Sequence, residues 1–235
     1  MVPFRIPQLL VNLDCTPSYI HTMEEKKMKK IVALTLAIIT VLLFVGCQTP
    51  IFSGGTPQPK ISRGTVKGDV YKNDYLGFEF VKPTSWVYCT DEEIAAAINL
   101  GAEVLLGENF KETLELNPTV YDMMVRDIFT GTNINVGYEN LAKTLSTNIT
   151  IEQYVDALKE QLKAVSSTMQ VTFPERHDTV KLGETEFTRL ICSVSMSGQS
   201  MQQAYYLSKQ GGYMTFIIVT IPRGYQVAEI EAMFQ

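Results

Sequence analysis

Histidine is nearly missing from this chain: 2 occur in 235 residues, His21 and His177. A zinc or iron site built on histidine needs several at short spacing, and no such group is present. Cysteine is almost as scarce, with 4 at positions 15, 47, 89 and 192 and no Cys-x-x-Cys pair. That excludes zinc ribbons and a dense disulfide framework. Positive charge is also short, since 20 Lys plus Arg against 25 Asp plus Glu leave a net −5. An acidic chain with no basic cluster beyond its first thirty residues argues against nucleic acid as partner and against a polybasic contact with anionic lipid. Catalytic signatures are missing too. There is no Gly-x-Ser-x-Gly elbow, and Gly64-Thr65-Val66-Lys67-Gly68 lacks the Lys-Ser/Thr ending of a phosphate loop.

What is present is one long apolar run. Lys26, Lys27, Lys29 and Lys30 precede Ile31 to Val45, and Gly46-Cys47 closes it. A basic start, an apolar stretch and a small residue form the layout of a secretory signal. The run falls short of the ~20 residues that a spanning helix needs. "Phe44-Val45-Gly46-Cys47" resembles the bacterial lipoprotein signal, with Phe44 in place of the usual leucine. In that reading Cys47 is acylated and becomes the first residue, and two acyl chains anchor stably. Residues 23–46 are then the signal peptide. Residues 1–22 show no helical or strand period and are expected to be a leader outside the native protein. Residues 47–67, rich in Pro and Gly, read as the acylated cysteine and a flexible tether of about 25 Å mean span. Residues 68–235 are expected to form one globular α+β domain.

Within that domain, Val70 to Val81 reads as two short strands about a turn at Lys72 to Asp74, and Trp86 to Cys89 as an extended run. Thr90 with Glu93 signals a capping-box helix start, its apolar stripe being Ile94, Ala97, Ile98, Val104 and Leu105. A second helix is expected around 108–116, ended by Asn117-Pro118. A strand is expected over 121–127. Ile134, Val136 and Tyr138 alternate with polar or small residues, which predicts a half-buried strand. Thr150 with Gln153 opens a helix whose Tyr154, Val155, Leu158, Leu162 and Val165 share one face. Hairpin strands follow at 178–182, 185–197, 200–209 and 213–221. The last is apolar on both faces, so it needs cover on both sides. A closing helix over 227–234 packs Ile230, Met233 and Phe234. The result is a largely antiparallel sheet with helices on both faces.

The blocks "VYKNDYLGFEFVKPTSWVYCTDEEI", "GTNINVGYENL" and "TIEQYVDALKEQL", with "YDMM" and the terminal "EIEAMFQ", resemble a family of small lipoproteins from clostridia and related Gram-positive gut bacteria. The element order resembles the PsbP-like α/β/α sandwich, named for an accessory protein of the photosynthetic oxygen-evolving complex. The resemblance implies binding or assembly rather than catalysis, and no catalytic residue carries over.

The residues themselves agree. His177 lies in the polar loop "FPERHD", where a solvated histidine is expected. Asp91-Glu92-Glu93 sits where a helix dipole favours carboxylates. Cys89 and Cys192 fall among apolar residues and are expected to be two buried free thiols. Phe78, Phe80 and Trp86 are expected in the core, while Tyr71 and Tyr75 flank a turn and could line a recognition surface. The expected function is a membrane-anchored cell-envelope module without catalysis, cofactor or metal, whose partner is an envelope protein or ligand. The alternatives are an envelope-polymer hydrolase, which needs a pocket holding His177 or a carboxylate pair, and an accessory solute-binding lipoprotein.

Overall fold

The structure is a computed structural model and describes residues 61–97, 110–164, 170–196 and 199–235. The expected leader, signal peptide and Cys47 lie outside the described residues, as do Ile98, Val104, Leu105 and Val165. All described residues fall in one compact unit. Its strands form two sheets, and every strand pair is antiparallel.

The small sheet has the order β1-β2-β3, with β1 at Thr65–Lys67, β2 at Val70–Asn73 and β3 at Phe78–Val81. β1 lies inside the stretch expected as tether, so the folded part begins before Gly68. Thr65 and Val66 are β-branched and pair with Lys72 and Tyr71, while the prolines of the tether all lie upstream. The turn after β2 also falls later than expected, at Asp74 to Gly77. Asn73 stays in the strand because its side-chain oxygen accepts from the Leu76 N–H at 2.9 Å, which starts the turn one residue on.

The large sheet holds β4 (Trp86–Tyr88), β5 (Thr119–Asp127), β6 (Asn133–Asn140), β7 (Gln170–Thr172), β8 (Asp178–Leu182), β9 (Thr185–Met196), β10 (Gln199–Gln210) and β11 (Tyr213–Ile221). Its order is β4-β5-β6-β11-β10-β9-β7, and β8 also pairs with β9. The helices are α1 (Asp91–Ala97), α2 (Phe110–Leu116), α3 (Leu141–Thr144), α4 (Ile151–Ala164) and α5 (Val227–Glu231). Both expected capping boxes form. The Thr90 N–H donates to Glu93 and the Glu93 N–H to the Thr90 hydroxyl, and Thr150 and Gln153 do the same. α3 and β7 carried no sequence signal, being four and three residues long.

The register separates the faces of the large sheet. Glu139 on β6 meets Tyr154 of α4, so α4 covers the face that also bears Phe216 and Tyr205. Tyr138, one residue away, points to the opposite face. There it meets Asn73 of the small sheet at 2.9 Å and Phe110 of α2. Phe234, just past α5, packs on Phe78 and Phe80. The cover on this second face is therefore a small sheet together with helices, rather than helices alone. β6 is buried on both faces for the same reason, and not half-buried as its alternation suggested. The architecture is α+β: antiparallel sheets with a few helices packed on them.

Candidate functional site

The outer edge of β9 is shared by two short strands, and they do not meet. β7 ends where Thr172 pairs with Ser193, and β8 begins where Asp178 pairs with Arg189. Three β9 residues, Leu190 to Cys192, lie between those pairs, yet five residues, Phe173 to His177, connect the two strands. The longer segment must arch away from the sheet. It leaves an open cleft of about 670 Å³, walled by Thr172 to Pro174 and Arg176 to Asp178, with Arg189 and Ile191 to Ser193 as floor.

The charges in this cleft are unevenly committed. Arg189 grips the Asp178 carboxylate with Nε, at 2.8 Å, and Nη2. Its Nη1 donates to Glu231 of α5 at 2.6 Å, and the Tyr206 hydroxyl donates to the same oxygen at 2.9 Å. The hydrogen bond to Asp178 holds the guanidinium pKa above its ordinary value, and Arg189 in turn lowers that of Asp178. Arg189 thus ties α5 and β8 to β9. Arg176 is exposed at the rim, and His177 is half-buried rather than fully solvated. Burial pushes the Cys192 thiol up to about 12, so it stays protonated near neutral pH and is a poor nucleophile.

Cys192 is a free buried thiol, as expected. Cys89 corrects the other half of that expectation, because it is disulfide-bonded, with its partner outside the described residues. It is only partly buried at the end of β4, where a second sulfur can reach it. The two are not joined to each other.

Tyr71 is not a surface residue. Only 1% of it is exposed, because β2 turns this side chain toward the large sheet. Its hydroxyl donates to Asp122 at 2.6 Å. Tyr75 is half-buried with its ring 6.0 Å from that of Tyr138, and desolvation raises its hydroxyl to about 12. Phe78, Phe80 and Trp86 are core, as expected.

The cluster around Asp122 was not foreseen. The register of β5 against β6 shifts between Tyr121 and Met123. This bulge turns Asp122 out of the ladder toward the small sheet. There its carboxylate also accepts from Asn73 at 2.8 Å and from the Gly64 N–H at 3.0 Å, with Arg63 Nε 3.5 Å away. Arg63 itself is held by Asp91 of α1. Gly64 is required, since a β-carbon there would overlap the Tyr71 ring. Burial raises the Asp122 pKa, and the Tyr71 and Gly64 hydrogen bonds hold it partly down. The cluster fastens one sheet to the other. One carboxylate in the apolar run of β5 was its only sequence signal.

Glu139 is another buried carboxylate. Burial pushes it up to about 7, and the Tyr154 hydroxyl donates to it. Thr144 lies near enough to ease this but donates to the Asn140 carbonyl, so Oε1 is left without a donor.

No protein-family model matches the chain, and no curated protein does. Among solved structures it is similar to cyanobacterial PsbP (CyanoP) from Synechocystis sp. PCC 6803. That match has 13% identity and a TM-score of 0.42, covering 77% of this chain and 97% of the other. It is also similar to a protein from Bacteroides thetaiotaomicron, at 13% identity and a TM-score of 0.33, over 68% of this chain and 44% of the other. Among the described residues no three His, Cys, Asp or Glu gather as metal ligands, and no helix is long and apolar enough to cross a membrane.

Proposed function

We propose that this chain is a lipoprotein on the extracytoplasmic face of a bacterial cell membrane, anchored through acyl chains on Cys47. Its folded part is a binding or assembly module without catalysis, which uses the sheet-edge cleft to hold an anionic group of an envelope partner. The sequence resemblance to small lipoproteins of clostridia and related Gram-positive gut bacteria supports the setting. The cleft supports the module. Its fixed cation, Arg189, is spent on two carboxylates, and Arg176 remains exposed at the rim to meet a ligand.

The test is site-specific photocrosslinking in cells, with the crosslinker at Thr172 in the cleft wall and, as control, at exposed Lys143. Crosslinks are expected at Thr172 alone and are lost when Arg176→Glu reverses the rim charge. Equal capture at both positions would overturn the assignment.

A hydrolase reading has one observation on its side: the cleft does hold His177, with Ser193 on its floor. His177→Ala decides between the two. A binding module keeps its crosslinks and changes stability by less than about 0.5 kcal/mol. A hydrolytic activity that is present in the wild type, and lost in this variant at unchanged stability, would make the protein an enzyme.

A further inference from the structure

The hairpin between β5 and β6 ends in two large apolar side chains turned to water. Ile128 is 53% exposed and Phe129 is 71% exposed. Leu116, the only other described large hydrophobic above half exposure, sits at the opposite end of β5, about 30 Å away at 3.3 Å per residue.

The tip is firmly built. The Asp127 carboxylate accepts from the Phe129 N–H at 3.1 Å and from the Thr130 hydroxyl at 2.8 Å. The Asp127 N–H donates to the Thr132 carbonyl at 2.8 Å, and Gly131 N–H donates back to the Asp127 carbonyl at 3.0 Å. From the neighbouring segment after β11, Arg223 donates to the Phe129 carbonyl at 3.3 Å. Thr132 donates to the Arg223 carbonyl at 3.3 Å. An apolar pair held out on so many hydrogen bonds cannot fold back to bury itself.

The charge at this end runs against the rest of the molecule. The chain is net −5, yet across 126–133 and 220–226 the charged side chains are Arg126, Asp127 and Arg223. Asp127 is buried at 3% exposure and spent on the loop, while Arg223 is exposed. The tip therefore shows water an aromatic, an aliphatic and a cation, on a convex turn. A protein groove would have to be shaped to receive it. The interface of an anionic bilayer matches it directly, with apolar side chains at the acyl boundary and the guanidinium among phosphates.

We propose that the Ile128–Phe129 tip is a membrane-contact site that seats in the headgroup region of an anionic bilayer with Arg223 beside the phosphates. It is one cation next to an apolar wedge, not a polybasic patch. The contact goes beyond anchoring at Cys47 and does not depend on acylation.

The test uses the full chain reconstituted in vesicles of equal parts phosphatidylglycerol and phosphatidylcholine. Phe129→Trp places a reporter on the tip, and Leu116→Trp places one at the far end of β5. Trp86, the single native tryptophan, is buried and supplies a constant background measured in the wild type. The tip reporter is expected to shift its emission to the blue and to be quenched by brominated acyl chains, while the Leu116→Trp reporter does neither. Arg223→Glu, or vesicles of phosphatidylcholine alone, should reduce the quenched fraction by up to about fivefold, the effect of one cation at an anionic surface. A tip reporter that keeps its water-exposed emission overturns the proposal, as does equal quenching at both positions. A failure of Cys47 anchoring would show instead in membrane fractionation, separately from these signals.

Discussion

Glu139 is a carboxylate with none of its surface exposed to water. Its folded carboxyl titrates near 7, against 4.5 for the free group. The folded state therefore holds this proton more tightly than the unfolded chain. The contribution to stability is fully present below about pH 4.5 and is lost as pH rises through about 7. At 1.36 kcal/mol per unit the loss is about 3 kcal/mol. Glu139→Gln keeps an oxygen for Tyr154 and removes the titration. Urea denaturation of both proteins at about pH 4 and about pH 8 should show the variant gaining about 3 kcal/mol on the wild type between the two. A parallel pH dependence would mean that Glu139 is charged at no cost. Tyr71 makes a second prediction at this scale. Tyr71→Phe removes a donor from a buried carboxylate and should cost about 1.5–3 kcal/mol, while crosslinking at the cleft stays unchanged. Loss of partner with intact stability would instead restore Tyr71 as a recognition residue.

At the scale of elements, the turn between β8 and β9 packs on the turn between β2 and β3. Glu184 N–H donates to the Gly77 carbonyl at 2.8 Å, and the Thr185 hydroxyl to the Leu76 carbonyl at 2.6 Å. Gly183 stands between them with φ +59, and a β-carbon on it would lie 2.5 Å from the Gly77 carbonyl oxygen. Gly183→Ala combines left-handed strain with a clash against backbone. It should cost about 3 kcal/mol or more, read as a fall in thermal midpoint. A variant of wild-type stability would mean that the two turns are not docked. The glycine was legible in the sequence as a hairpin turn, but its neighbour was not, since Gly77 lies more than a hundred residues away. The same distinction runs through the elements. Long periodic segments such as α4 and β9 to β11 announced themselves. β1, β7 and α3 are too short to show a period and exist because a neighbour supplies the pairing or packing.

For the whole molecule the proposed anchor makes a chemical demand. Acylation consumes the Cys47 thiol and processing removes Cys15, so the processed lipoprotein leaves Cys89 without either of these partners and is expected to carry it as a thiol, like Cys192. Cys89 is disulfide-bonded in the full chain, and the two states exclude each other. Alkylation of the membrane fraction under non-reducing, denaturing conditions, followed by mass spectrometry, should find both thiols modified. Cys47→Ala should abolish fatty-acid labelling and release the domain from membranes. A Cys89 peptide bridged to Cys15 or Cys47 in membrane-bound protein would sink the anchor reading.

The amino-acid sequence by itself determined the class of fold. Alternation, capping pairs and turn glycines act within a few residues of one another, so α+β with antiparallel hairpins could be read from local order, and so could the double-sided burial of β11. The apolar run before Cys47 was legible for the same reason. Only the tertiary structure decided where side chains point once distant segments meet. The bulge that sends Asp122 to Tyr71, the five-residue arch that opens a cleft over three residues of β9, and the burial of β6 on both faces all depend on pairing between segments far apart in the chain. Tyr71 makes the physical reason concrete. Its sequence neighbours place it beside a turn, but the sheet that packs over it removes it from water.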